Sequence, residues 1–284
     1  MIVDARARDI EGFPVRRVLP ALAARHVGPF VFLDHMGPKI FAPGEGMDVR
    51  PHPHIGLATV TYLFEGEILH RDSLGSEQLI QPGDLNWMIA GRGIAHSERT
   101  RPETRARGAT LHGLQMWVGL PREHEGAAPS FRHHAAATLP RLDVDGAALR
   151  VLVGTAYGAT SPVEVLSPTL YVDATLPAGT TLRLPDEHAE RALYVVFGAI
   201  TIDGDTVGPG QLFLVSDGEP AIARATVDAR VVLVGGAPLD GPRHMWWNFV
   251  SSDRDAIERA KDDWREQRFV KIPGDDAEHV PLPE

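Results

Sequence analysis

Ile80-Gln81-Pro82-Gly83-Asp84-Leu85 and Val207-Gly208-Pro209-Gly210-Gln211-Leu212 follow one pattern: an apolar residue, a Pro-Gly turn, a polar residue, then the first apolar residue of a new strand. Proline presets φ near about −65° and glycine supplies the left-handed position, so Pro-Gly is a turn signal with a mechanism. In each half, a strand-like run that ends at a Gly turn comes under twenty residues earlier. These runs are Ala58-Thr59-Val60-Thr61-Tyr62-Leu63-Phe64, closed by Glu65-Gly66, and Ala192-Leu193-Tyr194-Val195-Val196-Phe197, closed by Gly198. Leu85–Ile89 and Leu212–Val215 supply the strands that follow. Many short strands with regular turn signals indicate an all-β sandwich or barrel, and the repetition indicates two of them. The join is expected near residues 130–145, where Ala, His and Pro replace strand patterning. We therefore expect one barrel over residues 1–132 and a second over 133–284.

The composition is compatible with two cores. The chain has 284 residues, enough for two ordinary domains, and is 43% hydrophobic. No apolar run approaches the ~18–20 residues that span a bilayer, so no membrane role is expected. The first residues mix charges and lack a signal peptide's apolar stretch. There is no cysteine, which removes disulfides, thiolate metal sites and cysteine nucleophiles and suits a reducing cytoplasm. The net charge of −10 disfavours direct nucleic-acid binding. The densest basic stretch, Arg99–Arg107, also carries Glu103 and reads as a solvated loop.

The C-terminal end differs. Ser252 or Asp253 is placed to cap a helix over residues 254–264, with Ile257, Ala260, Lys261 and Trp264 on one face. Trp246, Trp247 and Phe249 are expected to anchor that helix on a barrel, because large aromatics usually bury. The polar tail after Pro273 is expected to be loosely ordered.

The residues that carry chemistry are two pairs. In Pro51-His52-Pro53-His54 the histidines are two apart, so on a strand both side chains leave the same face. About forty residues on, Gly93-Ile94-Ala95-His96-Ser97-Glu98 repeats that spacing with His96 and Glu98. A lone His-x-His is a weak signal. Two such pairs beside Gly turns in a barrel pattern can surround a cation. Three imidazoles and one carboxylate admit iron, manganese, nickel, cobalt, copper or zinc as one divalent transition metal.

Here the sequence resembles the pirins of the cupin superfamily. The likeness lies in Gly28-Pro29-Phe30-Val31-Phe32-Leu33-Asp34-His35-Met36-Gly37-Pro38, Arg50–Gly56, Gln81–Met88 and Ala90–Glu98, with Trp246–Ser252 similar to the longer pirins. The resemblance implies two tandem cupin (jelly-roll) β-barrels with a C-terminal helix. It also implies one metal, usually Fe(II), held by His52, His54, His96 and Glu98 in the N-terminal barrel. Many cupins place a ligand Glu shortly after His-x-His; here Gly56-Leu57-Ala58-Thr59 offers no carboxylate, and Glu98 takes that place in the pirin manner. The C-terminal barrel, with Glu187-His188-Ala189-Glu190 but no later His-x-Glu, is expected to be metal-free.

Several pirins are described as flavonol 2,3-dioxygenases that open quercetin with O2 and release carbon monoxide. The resemblance thus implies a flavonol-like substrate and O2 as partners, with Glu98 as ligand and catalytic base. It equally admits a metal-containing binding module that contacts a transcription regulator or metabolic enzyme without catalysis. Long pirins and the acidic surface suggest a monomer. Zinc hydrolysis is a weaker reading, since no separate general base stands beside the set.

Other residues carry ordinary readings. Asp34, His35 and Met36 fit a turn and core packing, or the mouth of the site; His112 and Gln115 fit satisfied polar positions, or the metal cavity. Arg92 reads as a structural hydrogen-bonder, and Trp87 and Met88 as core. His70, His124, His133, His134, His188 and His279 read as surface or structural.

Overall fold

The computed structural model describes all residues except 217 and 284. Among the described residues twenty-five strands dominate, as β-branched and aromatic runs broken by Gly and Pro dictate. The two Pro-Gly turns adopt the same geometry. Gly83 and Gly210 have φ of +84° and +83°, and their N–H groups donate to Leu63 O and Val195 O of the preceding long strands. The duplication read in the sequence is thus a duplication of backbone.

The chain divides into two compact units. One comprises residues 8–15, 35–136 and 240–284; the other comprises residues 1–7, 16–34 and 137–239. The linear reading places the division at 132/133. The break near 136 stands close to it, but the N-terminal segments alternate between the units, and the last 45 residues, 240–284, fold with the N-terminal barrel. The cause is pairing: Ile2–Asp4 hydrogen-bonds to Gln211–Leu214 of the C-terminal barrel.

In the C-terminal barrel one sheet runs Ile2–Asp4, Gln211–Leu214, Glu190–Phe197, Ala229–Gly236, Thr169–Leu176, Ala147–Ala156, Arg141–Val144, and a second joins Thr181–Arg183, Ile222–Ala225, Ile200–Ile202 and Asp205–Val207. Leu149, Val151, Val172, Leu193, Val195 and Leu233 fill the space between them, so this interior is hydrocarbon.

In the N-terminal barrel, Asp48–His54, Ile94–Arg99, Ile68–Asp72 and Glu77–Ile80 form one sheet. Ser130–His134, Leu85–Ile89, Leu57–Glu65 and Ala109–Gly119 lie side by side in the other. Its apolar packing concentrates on Phe13, Met36, Phe41, Leu63, Ile68 and Leu111. Other buried positions of this barrel are polar. Register places Thr59 opposite Met88 and Trp117, and Thr61 opposite Asn86 and Gln115, all with one side-chain parity. Thr59, Thr61 and Asn86 are buried polar residues that a purely hydrocarbon core would exclude.

The C-terminal helix, Arg254–Arg265, starts at Asp253, whose carboxylate accepts the Asp255 N–H. Ile257, Ala260 and Trp264 bury against Ile55, Ala95 and Phe249, with Trp246, Trp247 and Phe269 packed around them. The aromatic anchor is as expected. The tail is not loose. Trp264 Nε1 donates to Val280 O at 2.9 Å, and Val280 N donates to Pro51 O at 2.8 Å. Arg99 also clamps Asp275 with two bonds of 2.7 and 2.8 Å. Side-chain tethers order a segment whose own composition supplies no regular structure. The basic stretch likewise folds: residues 102–107 form a short helix, and Arg101 and Arg105 pair with Glu67 and Asp48. No helix among the described residues is long and apolar enough to cross a membrane.

Candidate metal centre

His52 and His54 end the strand Asp48–His54, and His96 lies on its antiparallel neighbour Ile94–Arg99. The register sets His96 directly opposite His52 and Ile94 opposite His54. The three rings therefore converge. Centroids of His52 and His96 are 4.3 Å apart, and each histidine offers a ligand atom within 4.8 Å of the others. All three side chains are buried.

The hydrogen bonds decide which nitrogens face the centre. His52 Nδ1 lies 2.9 Å from Arg50 O, and His54 Nδ1 lies 3.1 Å from Asn248 O. A carbonyl oxygen only accepts, so both Nδ1 atoms carry hydrogen and both Nε2 atoms present bare lone pairs. His54 Nε2 then stands 3.1 Å from His96 Nε2. Burial pushes the His52 imidazole down to about 4, against the weaker opposing effect of its bond to Arg50. Burial also pulls His54 and His96 well below 6.5, and the neighbouring rings add to it. At neutral pH all three are neutral, the state that binds a metal. Buried nitrogens with their other edges already bonded, crowded on one point, fit a cation that accepts imidazole donors.

Glu98 lies two residues beyond His96 on the same strand, buried, and burial pushes its carboxyl up to about 7. The Thr61 hydroxyl opposes that shift, and Thr61 Oγ1 is also 2.7 Å from Gln115 Oε1. Glu98 is not one of the mutually close ligand atoms, which are the three imidazoles alone.

Of the residues with ordinary readings, Gln115 reaches the site through Thr61. His112 instead goes to His35, ring on ring, with Nε2 atoms 2.8 Å apart. Asp34 accepts two bonds from Arg17 at 2.8 Å, and Met36 joins the apolar cluster. Two features escaped sequence reasoning. Trp117 sets its ring edge-on against His54 at 5.3 Å, a contact that alternation along Ala109–Gly119 could have suggested. His70, read as surface or structural, is buried with its Nδ1 3.4 Å from His96 Nδ1, while its Nε2 meets Asp72 at 3.1 Å. His70-Arg71-Asp72 has the same two-residue spacing as the ligand pairs, and that was its only signal.

Family models match on both barrels: Pirin over residues 12–118 and the Pirin C-terminal cupin domain over residues 171–270. The chain belongs to the pirin family. A pirin-like protein of Caulobacter vibrioides is 49% identical, the match covering 100% of this chain and 99% of that one. Among solved structures, a quercetin 2,3-dioxygenase from Acinetobacter baumannii superposes with a TM-score of 0.93 at 34% identity, covering 100% of this pirin and 95% of that chain. A bacterial pirin from Escherichia coli, solved in complex with nickel(II), shares the fold with a TM-score of 0.66 at 21% identity, covering 84% and 99%. The fold is the tandem cupin arrangement expected from the sequence, with one C-terminal helix.

Proposed function

We propose that this pirin is a metal-dependent dioxygenase that opens the ring of flavonol-type substrates such as quercetin with O2, using His52, His54, His96 and Glu98. The observation that carries the reading is the convergence of three neutral imidazoles whose Nδ1 edges are bonded elsewhere. The quercetin 2,3-dioxygenase likeness across the full chain supports the substrate class. Of the metals that nitrogen and oxygen donors accept, we assign Fe(II), in keeping with O2 chemistry.

When bound, the metal would polarise substrate oxygen donors and acidify a coordinated hydroxyl. The protein's part is then positioning and proton transfer. The backbone carbonyls of Arg50 and Asn248 hold His52 and His54 in one tautomer and one ring orientation. Trp117 supports His54 from the edge. Glu98, whose proton is held up to about 7 by burial, is matched to accept the flavonol hydroxyl proton at neutral pH. The Thr61 hydroxyl favours its charged form and so its role as base and ligand. We assign no metal to the C-terminal barrel, where Glu187-His188-Ala189-Glu190 is followed by no His-x-Glu pair. The cysteine-free sequence suits work in the cytoplasm.

The test is oxygen uptake and quercetin loss by iron-reconstituted protein, run beside His54→Ala. Equal consumption of both by the wild type and of neither by the variant supports the reading. A wild type that holds a full equivalent of iron and turns over nothing refutes it, and favours a metal-containing module that binds a protein partner.

A further inference from the structure

We propose that Asp72 and His70 form a positioning relay that fixes the proton of His96 on Nδ1 and so presents a bare Nε2 lone pair to the metal. This rests on His52, His54 and His96 being the metal ligands.

The chain of bonds runs from the loop inward. Asp72 is fully buried, and its Oδ1 accepts the backbone N–H groups of Leu74 at 2.9 Å and Ser76 at 3.0 Å. That anchors the carboxylate and leaves Oδ2 facing His70 Nε2 at 3.1 Å. Both carboxylate oxygens thus have a partner. An ionised carboxylate only accepts, so His70 Nε2 must carry hydrogen. In a neutral ring Nδ1 is then bare, and it lies 3.4 Å from His96 Nδ1. Only a hydrogen on His96 Nδ1 satisfies that contact. His96 Nε2 is left without one, 3.1 Å from the equally bare His54 Nε2.

The alternative tautomer fails at the outer end. A hydrogen on His96 Nε2 would satisfy the contact with His54, but would require His70 to donate from Nδ1. A neutral His70 would then set a bare Nε2 against the Asp72 carboxylate. The carboxylate thus decides, through one intervening ring, that two lone pairs are held against each other at the centre. A cation relieves that repulsion. Strand pairing sets the relay, because Ile68–Asp72 is the neighbour of Ile94–Arg99, with Asp72 opposite His96 and His70 opposite Glu98. Phe131 stacks on His70 at 4.2 Å and 9° and fixes the plane of the ring. All three metal-facing imidazoles then have an oriented outer edge: two on backbone carbonyls and one on this dyad. Partners of this kind typically account for about 10–100-fold in metal affinity.

The probe is Zn(II), which is diamagnetic and has no redox chemistry. Full-length protein labelled with 15N-histidine and loaded with zinc would be read by long-range proton–nitrogen correlation. The expected spectrum has His70 protonated on Nε2 alone, and His52, His54 and His96 on Nδ1. A proton on His70 Nδ1 overturns the relay without any variant being made. The second arm is Asp72→Asn. Its Oδ1 keeps the Leu74 and Ser76 amides, so its NH2 turns to His70 Nε2 and drives the ring proton to Nδ1, against the His96 hydrogen. Chelator competition should show zinc binding weakened about 10–100-fold, together with the tautomer change. Affinity within twofold of wild type despite the tautomer change overturns the proposal. A wild type that takes up no zinc overturns the ligand assignment itself, whereas these other failures leave it standing.

Discussion

Glu98 is a buried carboxyl in the metal-free protein, and that has a measurable consequence for folding. Its pKa is pushed up to about 7 from an ordinary 4.5, with burial as the main cause. In the unfolded chain the group ionises near 4.5; in the folded protein it keeps its proton to about 7. Between those values the folded state binds one more proton, so stability falls as pH rises. At about 1.4 kcal/mol per unit, the difference amounts to about 3 kcal/mol, absent below pH 4.5 and complete above pH 7. Glu98→Gln removes the ionisation while keeping size and polarity. We expect metal-stripped Glu98→Gln to gain on metal-stripped wild type by about 3 kcal/mol between pH 4.5 and 8. Urea unfolding in the presence of chelator at several pH values measures it. Taking the difference between the two proteins cancels the histidines, whose own shifts act on both. With metal bound the sign should reverse, because the ionised carboxylate then has a cation to face. A wild-type-minus-variant difference that stays flat with pH in the metal-free proteins would refute the argument, since it would mean Glu98 is ionised before metal arrives.

Two further predictions concern the frame around the site. Gly56, two residues past His54, has φ +68°, and a Cβ there would lie 1.9 Å from Val250 O. Gly56→Ala should therefore cost at least about 1–3 kcal/mol from the backbone conformation alone and lower the zinc content of purified protein; an unchanged urea midpoint would refute the assignment. Trp264 is buried in the helix–barrel cluster and donates to Val280 O. Trp264→Ala should cost about 3–5 kcal/mol and speed protease cleavage within residues 271–283, whereas cleavage at the wild-type rate would show that the tail is held without it.

The expected features that survived in three dimensions share a property: each is local in the chain. The Pro-Gly turns are set by the φ preferences of two residues, and they recur with the same backbone geometry in both halves. The helix cap was legible as Ser252 or Asp253, and Asp253 takes it, because the bond it makes spans two residues. The three converging histidines were legible because side chains two apart on a strand share a face, whatever that strand pairs with.

What the sequence could not determine are the relations made by pairing distant strands. His70 and His96 are 26 residues apart, His54 and Asn248 are 194 apart, and nothing in either segment announces its partner. The tail looked disordered because its own residues make no regular structure; Arg99, Trp264 and Pro51 hold it. The segments 1–7 and 240–284 join units that a linear reading would not give them, the first by pairing with an exposed strand edge and the second by burying its helix and aromatics on the barrel. By itself, the sequence determined two barrels and the histidine pairs that converge in one of them. Only the tertiary structure decided which nitrogen of each ring faces the point where the three converge, since the outer edge of a histidine is oriented by whatever the fold brings against it.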